Sequence, residues 1–416
     1  MNTEVLVVGA GPVGMTTALL LAERGVKAAV IDAKGGPAAR SYACALHPRS
    51  LDLFDRLGLL QEILPLGRRF ETVAFYEGAN KRAEVRLSEL PTKYPFLFVL
   101  PQNALEASLE RAIKNRSGMP VHWHHRLSDL RTDDKGVVAK VDKLAGTSTG
   151  YIVPHWEMVV KESTEIRSEF LIGADGHNSL VRQRIGIDYE QVGESESFTV
   201  FEFETQADLP NEICVVLDQA TTNVLWPLPG GRCRWGFQSS QTESASEFPD
   251  KDRRAVWIDD PDRNRQIQER LNQLIQKRAP WFSAGVKEFD WVSRVQFERR
   301  LAKHFGSGLC CLVGDAAHQT GPVGVQSLNV GLREADELAE TLHKRIQAGT
   351  AKNGFENWKH HWREEWERLL GLGVTLKPSA GADEWVQQHA SRILPCLPAS
   401  GADLVSCAKQ FHLDFA

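Results

Sequence analysis

EVLVVGAGPVGMTTALLLAERGVKAAVID, residues 4–32, decides the fold. EVLVV (4–8) is a short β-branched run of the kind that forms a buried strand. It leads directly into glycines at 9, 11 and 14. MTTALLLAER is rich in helix formers and predicts a helix to Arg24, which Gly25 can end. AAVID (28–32) reads as a second buried strand closing on Asp32. Gly9 permits a tight turn, Gly11 lets a pyrophosphate approach the backbone, and Gly14 lets helix and strand pack closely. The helix start offers free N–H groups and a positive dipole end to phosphate. Asp32, 18 residues beyond Gly14, is placed to accept from a ribose hydroxyl. Strand, glycines, helix, strand and acid in one unit predict a dinucleotide site rather than a glycine-rich turn. The pattern occurs once, so this fold binds one dinucleotide and any second one must bind differently.

Composition is consistent with a globular protein. The chain has 416 residues, enough for two or three lobes, with 42% hydrophobic and 25% charged residues. A net charge of −5 argues against a nucleic-acid partner or a polybasic membrane surface. Seven cysteines make an odd count without a C-x-x-C pair, which favours free thiols in a reducing cytoplasm. The N-terminus lacks a basic region before its apolar run, so no targeting segment is expected. No stretch approaches the roughly 18–20 apolar residues that span a bilayer. His122, His124 and His125 lie close together in VHWHHR, but without matching cysteines or carboxylates no metal site is expected.

The rest of the chain repeats one theme, a strand followed by an acid. EFLIGADG (169–176) predicts a strand ending at Asp175-Gly176, with Asn178 or Ser179 capping a short helix. CCLVGDAA places Asp315 in the same way. After Pro322 and Gly324, Leu328, Leu332, Ala335, Leu338, Leu342 and Ile346 form one buried helical stripe. TVAFYEG and AEVRLSEL read as a hairpin, and FLFVLPQ leads to a helix that Asn103 and Glu106 would start. SFTVFEFET and NVLWPLPGGRCRWGFQ read as sheet strands. Phe203, Trp226, Trp235 and Gln238 are candidates for a pocket on that sheet; the plainer reading of each is sheet core or sheet surface. Trp358, Trp362 and Trp366 predict a helix face packed on the body. Cys310 and Cys311 read as small hydrophobes in a strand, and His318 as structural. The tail, 375–416, reads as a short helical extension.

Three stretches, GAGPVG (9–14), GADGHNSLVR (173–182) and GDAAHQTGPVGVQSLNVGLREADELA (314–339), together resemble the FAD-dependent aromatic hydroxylases, single-component flavoprotein monooxygenases of the para-hydroxybenzoate hydroxylase type. The resemblance implies an α/β fold with a Rossmann-like, GR2-type FAD-binding domain, discontinuous over 1–70, 101–183 and 291–350. It also implies an inserted, mostly antiparallel β-sheet substrate domain (71–100 and 184–290) and a C-terminal helical segment (351–416). Gly9, Gly11, Pro12, Val13, Gly14, Asp32 and Ala33 would hold the ADP half of FAD, and Arg40 would reach its ribose and phosphates. Ala43–Leu46 would lie against the isoalloxazine. Gln102 would contact FAD, although by spacing alone it is a loop glutamine. Leu127 would meet adenine through its backbone. Asp175 belongs to a motif linked to FAD and NAD(P)H, although a turn residue is the plainer reading. Asp315 would bond the ribityl chain, and Pro322, Gly324, Ser327, Leu328 and Asn329 would surround the ring. A helix start near 325–329 would stabilise a reduced, negatively charged flavin by ~0.3–2 kcal/mol. His47, near the implied ring, is the acid/base candidate.

The implied activity is hydroxylation of an aromatic, phenolic or polycyclic small molecule with NAD(P)H and O2, through a flavin C4a-hydroperoxide, in a cytoplasmic monomer or homodimer. A halogenase or prenyl-chain reductase of the same fold, or a binding protein without catalysis, are the alternatives. The halogenase motif W-x-W-x-I-P is not found. This chain departs from the family at Ser327, where Gly is usual, and at Asp32, where Glu is commoner. No tyrosine follows Tyr189, so a two-tyrosine relay for deprotonating a phenol looks missing.

Overall fold

A computed structural model describes residues 2–38, 45–116, 120–133, 135–149, 155–218, 220–239, 261–283, 285–348 and 352–415. The apolar N-terminal run forms the strand Asn2–Val8, whose last four residues are buried. It pairs in parallel with Ala28–Ile31 on one side and with His155–Gly173 on the other. Cys310–Leu312 joins the far edge of His155–Gly173, again in parallel. The connecting helix is Pro12–Glu23, and Gly25 closes it at φ +74°. In this register Val8 lies opposite Ile31 and Gly173, and Gly173 opposite Leu312. Four strands therefore end along one line. Ligands of open parallel sheets sit outside such carboxyl ends. Asp32, Asp175 and Asp315 follow three of those ends within a few residues. The strands His125–Asp133 and Gly136–Thr149 extend this sheet in antiparallel fashion.

The second sheet has seven strands in the order Val286–Phe297, Glu196–Thr205, Arg232–Gln238, Thr222–Leu228, Ile213–Leu217, Thr72–Glu77 and Asn80–Arg86. All neighbours are antiparallel except Ile213–Leu217 with Thr72–Glu77. That parallel pair joins the early hairpin to the later strands. The sheet also continues past the expected boundary at 290, because Val286–Phe297 pairs with Glu196–Thr205 along its length.

Alternation along these strands makes two faces. Phe198, Val200, Val215, Val224 and Trp226 merge with the main core of the molecule. Phe201, Phe203, Leu225, Trp235 and Phe237 form a separate cluster with Ile267, Leu271, Leu274 and Ile275. The latter four lie on the helix Pro261–Arg278, which covers the outer face. Phe203 and Trp235 are thus corrected: they are packed beneath this helix, on the face turned away from the parallel sheet. Trp226 and Gln238 keep the inner face, by the same alternation.

Beyond the loop at 320–325, the helix Gln326–Ala348 buries Leu332, Ala335, Leu338 and Leu342 completely. Lys352–Leu369 buries Trp358, Trp362 and Trp366. The tail contains helices Glu384–Ile393 and Gly401–Gln410, with strands Leu376–Pro378 and Leu413–Phe415 paired across them. Among the described residues no helix is long and apolar enough to cross a membrane.

Candidate functional site

The three fingerprint glycines have different causes. Gly9 sits at φ +107°, and a Cβ there would lie 2.2 Å from the Ala174 carbonyl oxygen. A Cβ on Gly14 would lie 2.0 Å from the Gly9 oxygen. Packing alone therefore demands both. Gly11 is different: its φ is −73°, and a Cβ would meet nothing within 4 Å. The open space at Gly11 is where a pyrophosphate would approach the helix start at Pro12. Val13 leans the other way, against the Cβ-less positions of Gly314 and Gly331. Asp32 accepts from Ala10 N at 2.7 Å and from Lys34 N at 2.8 Å, which fixes its carboxylate beside the turn. Ala33 is exposed next to it. His125 N donates to the Asp32 carbonyl at 2.8 Å and so docks the strand carrying the buried Leu127.

The helix expected from Asn103 begins one residue earlier, Gln102–Arg116. Glu106 does not reach back to cap it. Its buried carboxylate accepts from Gln102 Nε2 at 2.8 Å and from Ala38 N at 2.6 Å. It thereby ties Gln102 to the segment that follows Asp32. Arg40 and Ala43 lie outside the described residues.

Asp175 works as a cap. Its carboxylate accepts from Ser179 Oγ (2.6 Å), Leu180 N (2.8 Å) and Val181 N (3.1 Å) at the start of the helix Leu180–Arg184. Burial pushes the carboxyl up, and these donors oppose that shift. Asp315 is exposed, on the turn that follows Cys310–Leu312. Three groups not anticipated from sequence hold that turn. Arg182 donates to the Ala316 carbonyl at 2.8 Å. The Tyr189 hydroxyl donates to the Asp315 carbonyl at 3.2 Å. The fully buried Glu334 accepts from Gly314 N at 2.9 Å and from Trp366 Nε1 at 2.6 Å. His318 Nε2 lies 2.9 Å from the same carboxylate, and its ring is stacked 3.7 Å from Trp366, so this histidine is part of the scaffold.

His47 and Asn329 change roles. His47 is buried, and its Nε2 lies 2.8 Å from the Gly324 carbonyl. A carbonyl only accepts, so Nε2 carries the proton. Burial lowers its pKa to about 4, which leaves the ring neutral and spent on holding the loop. His47 is therefore corrected from acid/base to positioning residue. Asn329 is also buried: Oδ1 accepts from His47 N (2.7 Å) and Ser50 Oγ (2.8 Å), and Nδ2 donates to Ala45 O (3.0 Å) and Val325 O (2.8 Å). Its side chain pins Ala45–His47 to the helix start, so only its backbone is left to face a ring. Gly324 is hemmed in by the tail, since a Cβ there would lie 2.6 Å from the Pro395 oxygen. Gln326 Nε2 also donates to the Leu397 carbonyl at 3.2 Å. Pro322 and Leu328 are half-buried on either side of this clamp. Ser327 Oγ is buried without a hydrogen-bond partner among the described residues.

On the inner face of the second sheet, Trp226, Arg234, Glu202 and Trp291 form one cross-strand row. Arg234 Nη2 lies 2.5 Å from Glu202 and its guanidinium 5.3 Å from the Trp291 ring centre. Gln238 Oε1 is engaged by Thr222 N at 2.6 Å.

An open backbone approach at Gly11 and an exposed acid at 315 each follow a strand end, and an orphaned hydroxyl at 327 stands at the start of the helix Gln326–Ala348. Phosphate, polyol and a flat polar ring, in that order, fit them, which is the order of groups in FAD. The family model for the FAD binding domain matches residues 2–363. The chain belongs to that family.

Relatives within this FAD-binding family are named monooxygenases. Para-nitrophenol 4-monooxygenase of Pseudomonas sp. (strain WBC-3) is 26% identical over 367 residues, covering 85% of this chain and 81% of that protein. 6-Methylpretetramide 4-monooxygenase of Streptomyces rimosus is 29% identical over 345 residues, covering 82% of this chain and 55% of its own length. The crystal structure of p-nitrophenol 4-monooxygenase from Pseudomonas putida DLL-E4 superposes with a TM-score of 0.74 at 22% identity, over 99% of this chain and 94% of that one. At that identity the superposition shows the fold.

Proposed function

We propose that this protein is an FAD-dependent monooxygenase that hydroxylates an aromatic small molecule, phenolic or polycyclic, with NAD(P)H as reductant and O2 as oxidant. When bound, FAD supplies the redox chemistry, accepting hydride and activating O2 so that one oxygen atom reaches the substrate. The chain's own residues do the rest. The turn at Gly9–Gly14 and Asp32 would bind the ADP half, and Asp315 the ribityl chain. His47, Asn329 and the tail carbonyl of Leu397 orient the loop and helix start where the ring would rest. The buried inner face of Phe198, Val200, Val215, Val224 and Trp226 would keep water from the reacting centre.

One observation carries this reading: three acids and the glycine loop gather at one edge of the parallel sheet, in a chain 26–29% identical to named monooxygenases over more than 80% of its length. Six described cysteines are free and buried, which supports a cytoplasmic setting. The test is purification followed by a screen. A yellow protein that consumes NADPH faster with a phenolic or polycyclic compound, and yields a product heavier by one oxygen atom, supports the proposal. A colourless protein that refuses FAD sinks it. A halogenated or reduced product would favour the alternatives.

A further inference from the structure

We propose that Glu196 is the group that takes the hydroxyl proton of a phenolic substrate; this rests on the hydroxylase reading above. Glu196 opens the strand Glu196–Thr205 and shares its face with Phe198 and Val200, which join the main core. It therefore points to the inner side of the substrate sheet. Across from it runs the loop 320–325, ahead of the helix at Gln326. A Cβ on Gly321 would lie 2.6 Å from Glu196 Oε2, so the glycine makes room for that oxygen against the loop backbone. The carboxylate thus sits where the substrate sheet meets the loop expected to border the ring.

Its surroundings leave it available. Among the described residues no hydrogen bond or ion pair reaches the Glu196 carboxylate. The charged and titratable groups facing it are Arg299, Arg392 and Cys396. Arg299 donates to the Leu370 carbonyl at 2.8 Å. Arg392 donates to the carbonyls of Asp218 (2.5 Å) and Thr221 (2.6 Å). The Cys396 thiol donates to the Arg392 carbonyl at 3.1 Å, and burial holds it protonated. Burial also raises the Glu196 carboxyl, against the weaker pull of the two arginines.

Other candidates for the role are committed elsewhere. His47 is neutral and donates to Gly324, the Tyr189 hydroxyl donates to Asp315, and Glu202 is paired with Arg234.

The step is a proton transfer without redox change. The phenol O–H bond breaks, its proton goes to Glu196 Oε2, and the electron pair stays on the phenolic oxygen. That oxygen then feeds electron density into the ring and makes its ortho and para carbons more nucleophilic. After oxygen transfer the proton returns to the product hydroxyl. A carboxyl with a raised pKa is a stronger base than an ordinary one and a better match to a phenol of pKa about 10.

A series of fluorinated phenols, similar in size but graded in acidity, tests this with the FAD-loaded enzyme. kcat/KM is measured from NADPH consumption and product formation, for wild type and Glu196→Gln, across pH. The expected loss in Glu196→Gln is about a hundredfold or more on the least acidic phenol. It shrinks to a few-fold on the most acidic, which arrives already ionised. Glu196→Asp should recover part of the loss. In wild type, kcat/KM on the least acidic phenol should fall about tenfold per pH unit below the Glu196 titration. An equal loss across the series, no loss, or a wild-type profile flat with pH overturns the proposal. If other aromatics are hydroxylated but no phenol is, Glu196 loses this role while the hydroxylase reading stands. If no aromatic stimulates NADPH consumption, the hydroxylase reading itself fails.

Discussion

Arg182 Nη1 donates to the Ala316 carbonyl at 2.8 Å, so the motif after one strand end holds the turn after the next. Its Nη2 donates to the His177 carbonyl, also at 2.8 Å, and its guanidinium lies 3.8 Å from the Tyr189 ring centre. Residues 134 positions apart in sequence are thereby set at one spacing. That spacing fixes where Asp315 stands relative to the glycine turn, because Gly9 itself packs on Ala174.

Arg182→Ala should therefore damage both fold and cofactor binding. The buried Ala316 carbonyl and the more exposed His177 carbonyl would each lose a charged donor, at a cost of about 2–4 kcal/mol in all. FAD affinity should fall tenfold or more as the turn at Asp315 loosens. Urea unfolding of the FAD-free chain and a flavin-fluorescence titration measure the two effects separately. Unchanged FAD affinity would show that the turn is held without Arg182.

The fingerprint glycines should separate into two classes. Gly11→Ala meets no atom and needs no unusual φ, so the FAD-free protein should keep its stability or gain up to about 1 kcal/mol. The new methyl would nevertheless stand in the pyrophosphate's path, and FAD affinity should drop more than tenfold. Gly9→Ala should instead destabilise the FAD-free chain by about 3 kcal/mol, through a forbidden φ and a clash with Ala174. Paired melting curves with and without FAD decide the matter. Equal loss of FAD-free stability in both variants would remove Gly11 as a ligand contact.

Much of this was legible in the sequence because it is local. The strand at Asn2–Val8, the glycine turn and the helix at Gln326 announce themselves through period and composition. What failed was two-dimensional. A period of two shows that Phe203 and Trp226 lie in strands with two faces, but not which face meets which neighbour. The deciding element was the helix Pro261–Arg278, whose Ile267, Leu271 and Leu274 at i, i+4 and i+7 did carry a readable signal. Glu334 was hidden for another reason. In a helix it looks like an exposed acid, and only the approach of Gly314, His318 and Trp366 makes it a buried acceptor. His47 lies against the Gly324 carbonyl, and its burial could not be read from neighbours in sequence.

Glu334→Gln tests that buried acceptor. An amide offers one oxygen and turns its NH2 toward groups that donate. The variant should lose about 2–4 kcal/mol of stability, with FAD binding weakened through the loop at Gly314. Trp366→Phe removes one donor and should cost less. Urea midpoints of the FAD-free variants rank the two, and a smaller loss in Glu334→Gln than in Trp366→Phe would contradict the assigned network.

His47 makes a pH prediction with a definite sign. Its pKa is about 4 in the folded chain and near 6.5 in the unfolded one. The unfolded state therefore binds the extra proton first as pH falls. The stability contributed by a neutral His47 is complete above pH 6.5 and drains away between 6.5 and about 4. The shift corresponds to about 3 kcal/mol over that window. His47→Gln, which can still donate to the Gly324 carbonyl, should flatten this part of the stability curve while lowering stability at neutral pH only modestly. Urea unfolding at intervals from pH 7 to 4.5 gives both curves. If wild type and variant lose stability in parallel across that range, the acid sensitivity belongs to other groups, and His47 is not the buried neutral latch described here.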